Sequence, residues 1–297
     1  MRPSVPVCTR ALSCLLVAGV RIAAHFPKSW IMASPRETVI HRSQSDDGVI
    51  EITQQGDIRA LYFGSSAKQS ALDILRPEQL QLSYTRAMVS ALLFFPAPRS
   101  VLLIGLGAGS LANFLWHHFP SCQIDVAEMR ADVVHLAHSH FALPIDPRLR
   151  IHIGDGGQFM ALKREQRQTY DLILIDAYNH DGIADEVRVV SFFENVHACL
   201  NQHGTLSMNL WTGEPHYPLT LQYLEQVFPR KVLQLPVDER ANVIVLASRQ
   251  KIFPGAAKPL KKRALALEDR FNIPFLSYMR QLKRCDRWLS LSRLFQP

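Results

Sequence analysis

Three carboxylates and one run of glycines hold most of the chemistry this 297-residue sequence can offer. The run is LLIGLGAGSL, Leu102 to Leu111, in which Gly105, Gly107 and Gly109 follow an apolar stretch. Glycines there leave bare backbone for a ligand to lie against, at the amino end of the helix that follows. Glu128 ends QIDVAE, 19 residues after Gly109 (128 − 109), where an acid can accept hydrogen bonds from both hydroxyls of a ribose. Asp155, in GDGGQFM, can accept one from an adenine amino group, and Gly156 permits close approach. Asp176 ends YDLILID, where a carboxylate can attract a cationic amine and take the proton that an amine nucleophile must lose.

Each of these residues has a plain structural role open to it as well. The glycines suit tight packing, and Glu128 suits an exposed strand end. Asp155 is a favoured helix N-cap, and Asp176 a loop cap. Together, the glycine turn, Glu128 and Asp155, on three consecutive strand ends, specify an adenosine pocket better than any one alone. Asp181, Asp185 and Glu186 follow Asp176 in a glycine-containing loop and read as a solvated lid. Trp211 and Tyr217 fall near the expected pocket rim, where stacking on a substrate and core packing fit equally. His135, His138 and His140 share a predicted helix, with His135 and His138 away from the strand ends, so they read as surface residues and no metal is expected.

The elements that must position these groups follow from periodicity. GVIEITQQGDIRALYFG, Gly48 to Gly64, alternates around QGD and predicts a β-hairpin. Leu75 to Phe95 predicts a helix after Pro77, with Leu80, Tyr84, Met88 and Leu92 on one face. From Ser100 the strands SVLLIG, CQIDVAE, RLRIHIGD, YDLILID and GTLSMNLW alternate with helices at Gly109–His118, Ala131–Phe141, VVSFFENVHACL and Pro218–Val227. RKVLQLP and NVIVLAS then close as a hairpin. Alternating strands and helices demand a parallel sheet covered on both faces. The fold class expected is α/β: a methyltransferase-like (Rossmann-like), mostly parallel seven-stranded sheet with a small N-terminal β domain. The expected divisions are 1–33, 34–95 (β-hairpin domain plus linking helix), 96–248 (nucleoside-binding domain) and 249–297 (basic helical segment).

Composition narrows the class. A 47% hydrophobic content supports a large core. No run approaches the ~18 uninterrupted apolar residues of a membrane span, so no membrane partner is expected. The five cysteines are scattered without CxxC spacing, which fits a reducing, cytoplasmic setting better than a disulfide framework. The formal charge of +7 owes much to KPLKKRALALEDR and MRQLKRCDRW near the end, which read as solvated helix faces. No basic patch interleaved with aromatics or nucleic-acid module accompanies them, so no nucleic-acid partner is expected. ALSCLLVAGV after Arg2 and Arg10 mimics a secretory signal, but Arg21 and the lack of a small-x-small site favour a leader-like disordered extension, with Met32 a plausible start.

The segments VLLIGLGAGS, DVAEMR, RLRIHIGDGGQFM and YDLILIDAYNHDGI resemble the spermidine synthase (polyamine aminopropyltransferase) family, well over Ser100 to Trp211 and loosely over Val49 to Phe95. The resemblance implies aminopropyl transfer from decarboxylated S-adenosylmethionine to putrescine, with Glu128 on the ribose, Asp155 on the adenine and Asp176 as catalytic base. It sets Tyr84 near the tyrosine of the family's YHE segment, and Tyr84, Tyr178 and Asn179 toward a small-molecule amine. Homodimerisation is left open. The departures are specific. The acid of the family's GGGDGG falls at Ala108, the second acid of its D-S-S-D-P falls at Asn179, and Thr85 and Arg86 replace the His and Glu of YHE. Arg86 is expected to repel a dication. A methyltransferase using intact S-adenosylmethionine and a non-catalytic nucleoside-binding protein are the alternatives on the same sheet.

Overall fold

The computed structural model describes residues 37–45, 48–64, 68–179, 182–183, 187–237, 241–250 and 257–292. The expected leader, residues 1–33, and the loop acids Asp181, Asp185 and Glu186 lie outside the described residues. A four-stranded antiparallel sheet comes first, in the spatial order β1 (Thr38–Ser45), β2 (Gly48–Gln55), β3 (Ile58–Phe63) and β4 (Lys68–Asp73). β2 and β3 form the expected hairpin, turning at Gly56 and Asp57. β1 escapes a pattern search because it is exposed along most of its length and shows no apolar alternation.

The helix expected after Pro77 is shorter than its periodicity implies. α1 spans Ser83–Met88 and continues as a 3-10 turn, Val89–Leu93. The cause lies in β4, whose Leu72 forms an antiparallel bridge with Leu80 and holds the segment extended as far as Leu82 (φ −87°, ψ 140°). Nor does this stretch bury a single face: Ala87, Met88, Val89, Ala91, Leu92 and Leu93 are all buried.

The main sheet is built from β5 (Ser100–Ile104), α2 (Ser110–His118), β6 (Gln123–Glu128), α3 (Ala131–His140), β7 (Leu149–Ile153), α4 (Gly156–Glu165) and β8 (Tyr170–Ile175). A short ribbon follows, β9 (Tyr178–Asn179) with β10 (Gly182–Ile183). α5 (Val190–Cys199), β11 (Leu200–Trp211), α6 (Tyr217–Val227), β12 (Val232–Pro236) and β13 (Asn242–Ser248) complete it. The seven strands lie in the order β12-β13-β11-β8-β5-β6-β7, parallel from β11 to β7 and antiparallel in the closing hairpin.

Strand alternation sends each sequence to both faces. Val101 and Leu103 of β5, with Leu172 and Leu174 of β8, pack against Phe114 of α2 and the 3-10 turn. Leu102, Ile104, Ile173 and Ile175 point the other way, toward Phe159 of α4, Phe192 and Phe193 of α5 and Leu224 of α6. The C-terminal segment forms α7 (Ala257–Phe271) and α8 (Phe275–Ser292), which bury Ala264, Leu267, Met279 and Leu282 in the first of these cores. Its basic residues Lys258, Lys261 and Lys262 stay exposed, in keeping with a solvated face.

This connectivity fixes where a ligand can bind. From β5 the chain runs outward to β6 and β7, then returns to β8 on the other side of β5. Open α/β sheets bind ligands outside the carboxyl ends of the strands at such a reversal. Gly105 and Asp176 are the residues that leave β5 and β8 at that point.

Candidate active site

Backbone hydrogen bonds tie the critical strand ends into one edge. Gly154 N–H donates to the Glu128 carbonyl (2.9 Å), Gly105 N–H to the Ala127 carbonyl (2.9 Å), and Asp176 N–H to the Ile104 carbonyl (2.8 Å). Glu128, the glycine turn and Asp176 are thereby held in register before any ligand arrives. A pocket opens on this edge, walled by Gly105, Leu106 and Gly107 of the turn and by Tyr84, Asp176 and Tyr178. Lys68, Gln69 and Ser70 of β4 also line it, so the small sheet is part of the site.

Asp176 has a donor for each oxygen. The Tyr84 hydroxyl lies 3.0 Å from Oδ2 and 2.7 Å from the Gln69 carbonyl; Asn209 Nδ2 donates to Oδ1 at 2.9 Å. A hydroxyl has one proton and can also accept. With Asp176 ionised, Tyr84 donates to it. With Asp176 protonated, Oδ2–H can donate to Tyr84 while Tyr84 donates to Gln69. Both protonation states are therefore satisfied. Burial pushes the Asp176 carboxyl above its ordinary range, and the Asn209 and Tyr84 hydrogen bonds partly offset that rise. Around it, burial and then the negative charge of Asp176 push the Tyr178 phenol up. The Tyr178 ring stacks on Trp211, with centroids 4.8 Å apart and planes at 21°. Trp211 lines the pocket, whereas Tyr217 bonds Gln234 (2.9 Å) and packs into the second core.

Glu128 is 9% exposed and braces the turn. Its Oε2 accepts Leu106 N–H at 2.8 Å and its Oε1 accepts Arg130 N–H at 3.0 Å. Burial raises its carboxyl above the usual range, against the pull of those amides. Asp155 caps α4, its Oδ1 accepting Gln158 N–H at 2.6 Å. The glycines meet protein rather than open space: a β-carbon on Gly107 would touch Ser70, one on Gly109 would press on Leu143, and one on Gly156 on Ile104. Asn179 contributes backbone to the β9–β10 ribbon, and its side chain lies outside the described residues.

One expectation needs correction. Arg86 does not face the pocket: its Nη2 donates to the Asn272 carbonyl at 2.7 Å, in a separate groove beside α7, because α1 turns residue 86 away from Tyr84. It therefore stands in no position to repel a bound dication. Ala108, where the family's acid falls, is not among the residues that line the pocket. It is 0% exposed and packs with Ile50, Ile52, Leu61, Leu72, Val133, Leu136 and Phe141 under the small sheet. Sequence reasoning missed Gln69, Asn209 and Asn242. Asn209 carried a signal, a lone amide inside the apolar run of a buried strand, SMNLW.

No helix among the described residues is long and apolar enough to cross a membrane, and no group of three or more His, Cys, Asp or Glu side chains gathers there in a metal-holding arrangement.

Comparison with known proteins adds the lineage. Residues 81–236 match the family model for the spermine/spermidine synthase domain. The polyamine aminopropyltransferase of Chromobacterium violaceum is 33% identical over 239 residues, covering 80% of this chain and 90% of that protein. The structure of a probable spermidine synthase from Corynebacterium glutamicum superposes with a TM-score of 0.62 at 19% identity, over 78% of this chain and 88% of that one. Human methyltransferase-like protein 13, solved in complex with SAH, superposes with a TM-score of 0.59 at 25% identity, over 65% of this chain and 93% of that one. With the family model spanning more than half of its residues, and a relative of this identity matched along nearly its whole length, the chain belongs to the spermine/spermidine synthase family.

Proposed function

We propose that this chain is an aminopropyltransferase of polyamine biosynthesis, moving the aminopropyl group of decarboxylated S-adenosylmethionine to a small amine such as putrescine. The observation that supports this reading best is Asp176, a carboxylate with two donors at the floor of a pocket formed at the sheet's reversal point. An amine arrives as its ammonium ion and must lose a proton to become a nucleophile. A carboxyl raised above its ordinary range is a stronger base for that task than a solvated one. The neutral nitrogen then attacks the methylene carbon next to the sulfonium. A C–N bond forms, the C–S bond breaks with its electron pair passing to sulfur, and methylthioadenosine leaves as a neutral thioether. In this scheme Glu128 takes the ribose, Asp155 and Gly156 the adenine, and the turn of Gly105, Gly107 and Gly109 the face of the nucleoside. Tyr84, Tyr178 and Asn179 border the amine. The working setting is the cytoplasm, with no nucleic-acid, membrane or metal requirement.

A second reading, methyl transfer from intact S-adenosylmethionine, is supported by the likeness to human methyltransferase-like protein 13, solved in complex with SAH. Calorimetric titration with each donor separates the two. The first reading expects decarboxylated S-adenosylmethionine to bind at least about tenfold tighter, and putrescine then to release methylthioadenosine. It also expects Asp176→Asn to cut that release by about 10²–10⁴-fold while nucleoside binding persists. Tighter binding of the intact donor, with no product from putrescine, overturns it in favour of methyl transfer.

A further inference from the structure

Asn242 opens β13 and lies opposite Trp211 in the register, diagonal to Asn209 on the same face of the sheet. Both amides are buried, at 8% and 3% exposure, and both line the pocket. Asn242 Nδ2 donates to Asn209 Oδ1 at 2.8 Å, and Asn209 Nδ2 donates to Asp176 Oδ1 at 2.9 Å. We propose that Asn242 is a positioning residue for the transfer reaction: it locks the Asn209 carboxamide so that its NH2 side, not its oxygen, faces Asp176.

A carboxamide presents two donors on one side and an acceptor on the other, and the two sides are nearly the same shape. Packing alone therefore selects poorly between them. If the Asn209 amide turned over while Asn242 kept its orientation, its NH2 would meet the NH2 of Asn242, and its oxygen would meet an oxygen of Asp176. Two donors would face each other at one end and two acceptors at the other. The second clash is relieved only when Asp176 is protonated, so the flipped amide favours the form that cannot act as a base. Asn242 makes the flip unfavourable from outside the reacting atoms. Among the described residues, the other titratable groups around Asp176 are Tyr84 from α1, Tyr178 after β8, and Lys68 of β4 in the same pocket lining. Of these, Tyr178 donates to the backbone carbonyl of Asn209 at 3.3 Å.

The proposal rests on the aminopropyl-transfer reading for its consequence, but its test does not depend on turnover. The carboxyl of Asp176 is titrated by carbon-13 NMR in protein carrying labelled aspartate, with Asp176→Asn identifying the resonance. Asn242→Leu, close in shape and without a donor, is expected to raise the Asp176 midpoint by about one pH unit, since a hydrogen bond to a charged group is lost for part of the population. In an Asn209→Leu background, Asn242→Leu is expected to add nothing, because the group it acts through is gone. Asn242→Ala serves the same comparison if the leucine variant does not fold. The acid limb of the kcat/KM profile with putrescine and decarboxylated S-adenosylmethionine should move by the same amount, with KM little changed. An unmoved Asp176 midpoint, or shifts that add in the double variant, overturns the proposal. Absence of turnover in the parent protein overturns the aminopropyl reading, while the titration still decides the role of Asn242.

Discussion

Gly105 and Asp176 meet backbone to backbone. Gly105 has φ +92°, and a β-carbon built on it would collide with the carbonyl group of Asp176. The glycine turn and the candidate base are therefore one construction. Bare backbone at the end of β5 lets the end of β8 approach, and Asp176 N–H closes the join on the Ile104 carbonyl.

Gly105→Ala should consequently damage the base as well as the turn. The substitution faces a strained backbone region and an overpacked contact, each worth about 1–3 kcal/mol. Chemical denaturation should show a loss of about 2–4 kcal/mol in stability. Turnover should fall further than nucleoside affinity, because the displaced group is Asp176. A variant with parental stability and turnover would mean that the backbone contact is not a constraint.

The Tyr84 hydroxyl yields a prediction in pH. Asp176 must be ionised to accept a proton, and burial has moved its carboxyl upward, so the acid limb of kcat/KM should lie above the ordinary carboxylate range. Tyr84→Phe removes a donor that favours the ionised form. The limb should then move to higher pH by about one unit, with the plateau at high pH less affected. Stability follows the same group with a definite sign. A carboxyl whose pKa is higher in the folded than in the unfolded chain binds its proton more tightly in the native state. Its contribution is complete below the ordinary value of 3.8 and is lost as pH rises through the raised one. Asp176→Asn, which cannot ionise, should therefore be more resistant to denaturant at neutral pH than the parent. The two should converge in acid. A limb that stays in place in Tyr84→Phe would mean that the phenol serves Gln69 rather than Asp176.

How much of this was legible beforehand depends on where the information sits. The strands β5, β6 and β8, the glycine after the first and the acids that end the other two are visible because these signals lie locally, within a few residues. Gly105, Glu128 and Asp176 were assigned to one edge on that basis, and backbone hydrogen bonds join them there. The helix start after Pro77 was misread because the competing partner, Leu72, is eight residues upstream (80 − 72) and acts through a bridge that periodicity does not encode. Asn242 was invisible for the same reason. It lies 33 residues from Asn209, and only the antiparallel register of β11 and β13 brings the two amides together. A packing role for the glycines, which their sequence leaves open beside ligand contact, shows only in three dimensions: a β-carbon on Gly109 or Gly156 would press on Leu143 or Ile104, and one on Gly107 would just touch Ser70.

Ala108 supplies the last prediction. Comparison of motifs invites the idea that an acid restored at this position would restore selectivity for an aminopropyl donor. The structure opposes it, because the Ala108 methyl has no exposed surface and is surrounded by Ile50, Ile52, Leu61, Val133, Leu136 and Phe141. An aspartate there would leave water without gaining a cationic partner among those side chains. An uncompensated buried charge costs roughly 3–5 kcal/mol. Ala108→Asp should thus unfold at markedly lower denaturant concentration than the parent, with the loss largest above pH 5, where the new carboxyl would otherwise ionise. The affinity ratio between decarboxylated and intact S-adenosylmethionine, measured on the folded fraction, should change little. A stable variant whose preference shifts strongly toward the decarboxylated donor would show instead that the small sheet yields and that the new acid reaches the ligand. In this chain the position has been absorbed into the core that joins the small sheet to α3. Selectivity for the donor therefore has to come from residues that line the pocket, with Asp176 and Lys68 the charged groups among its described lining.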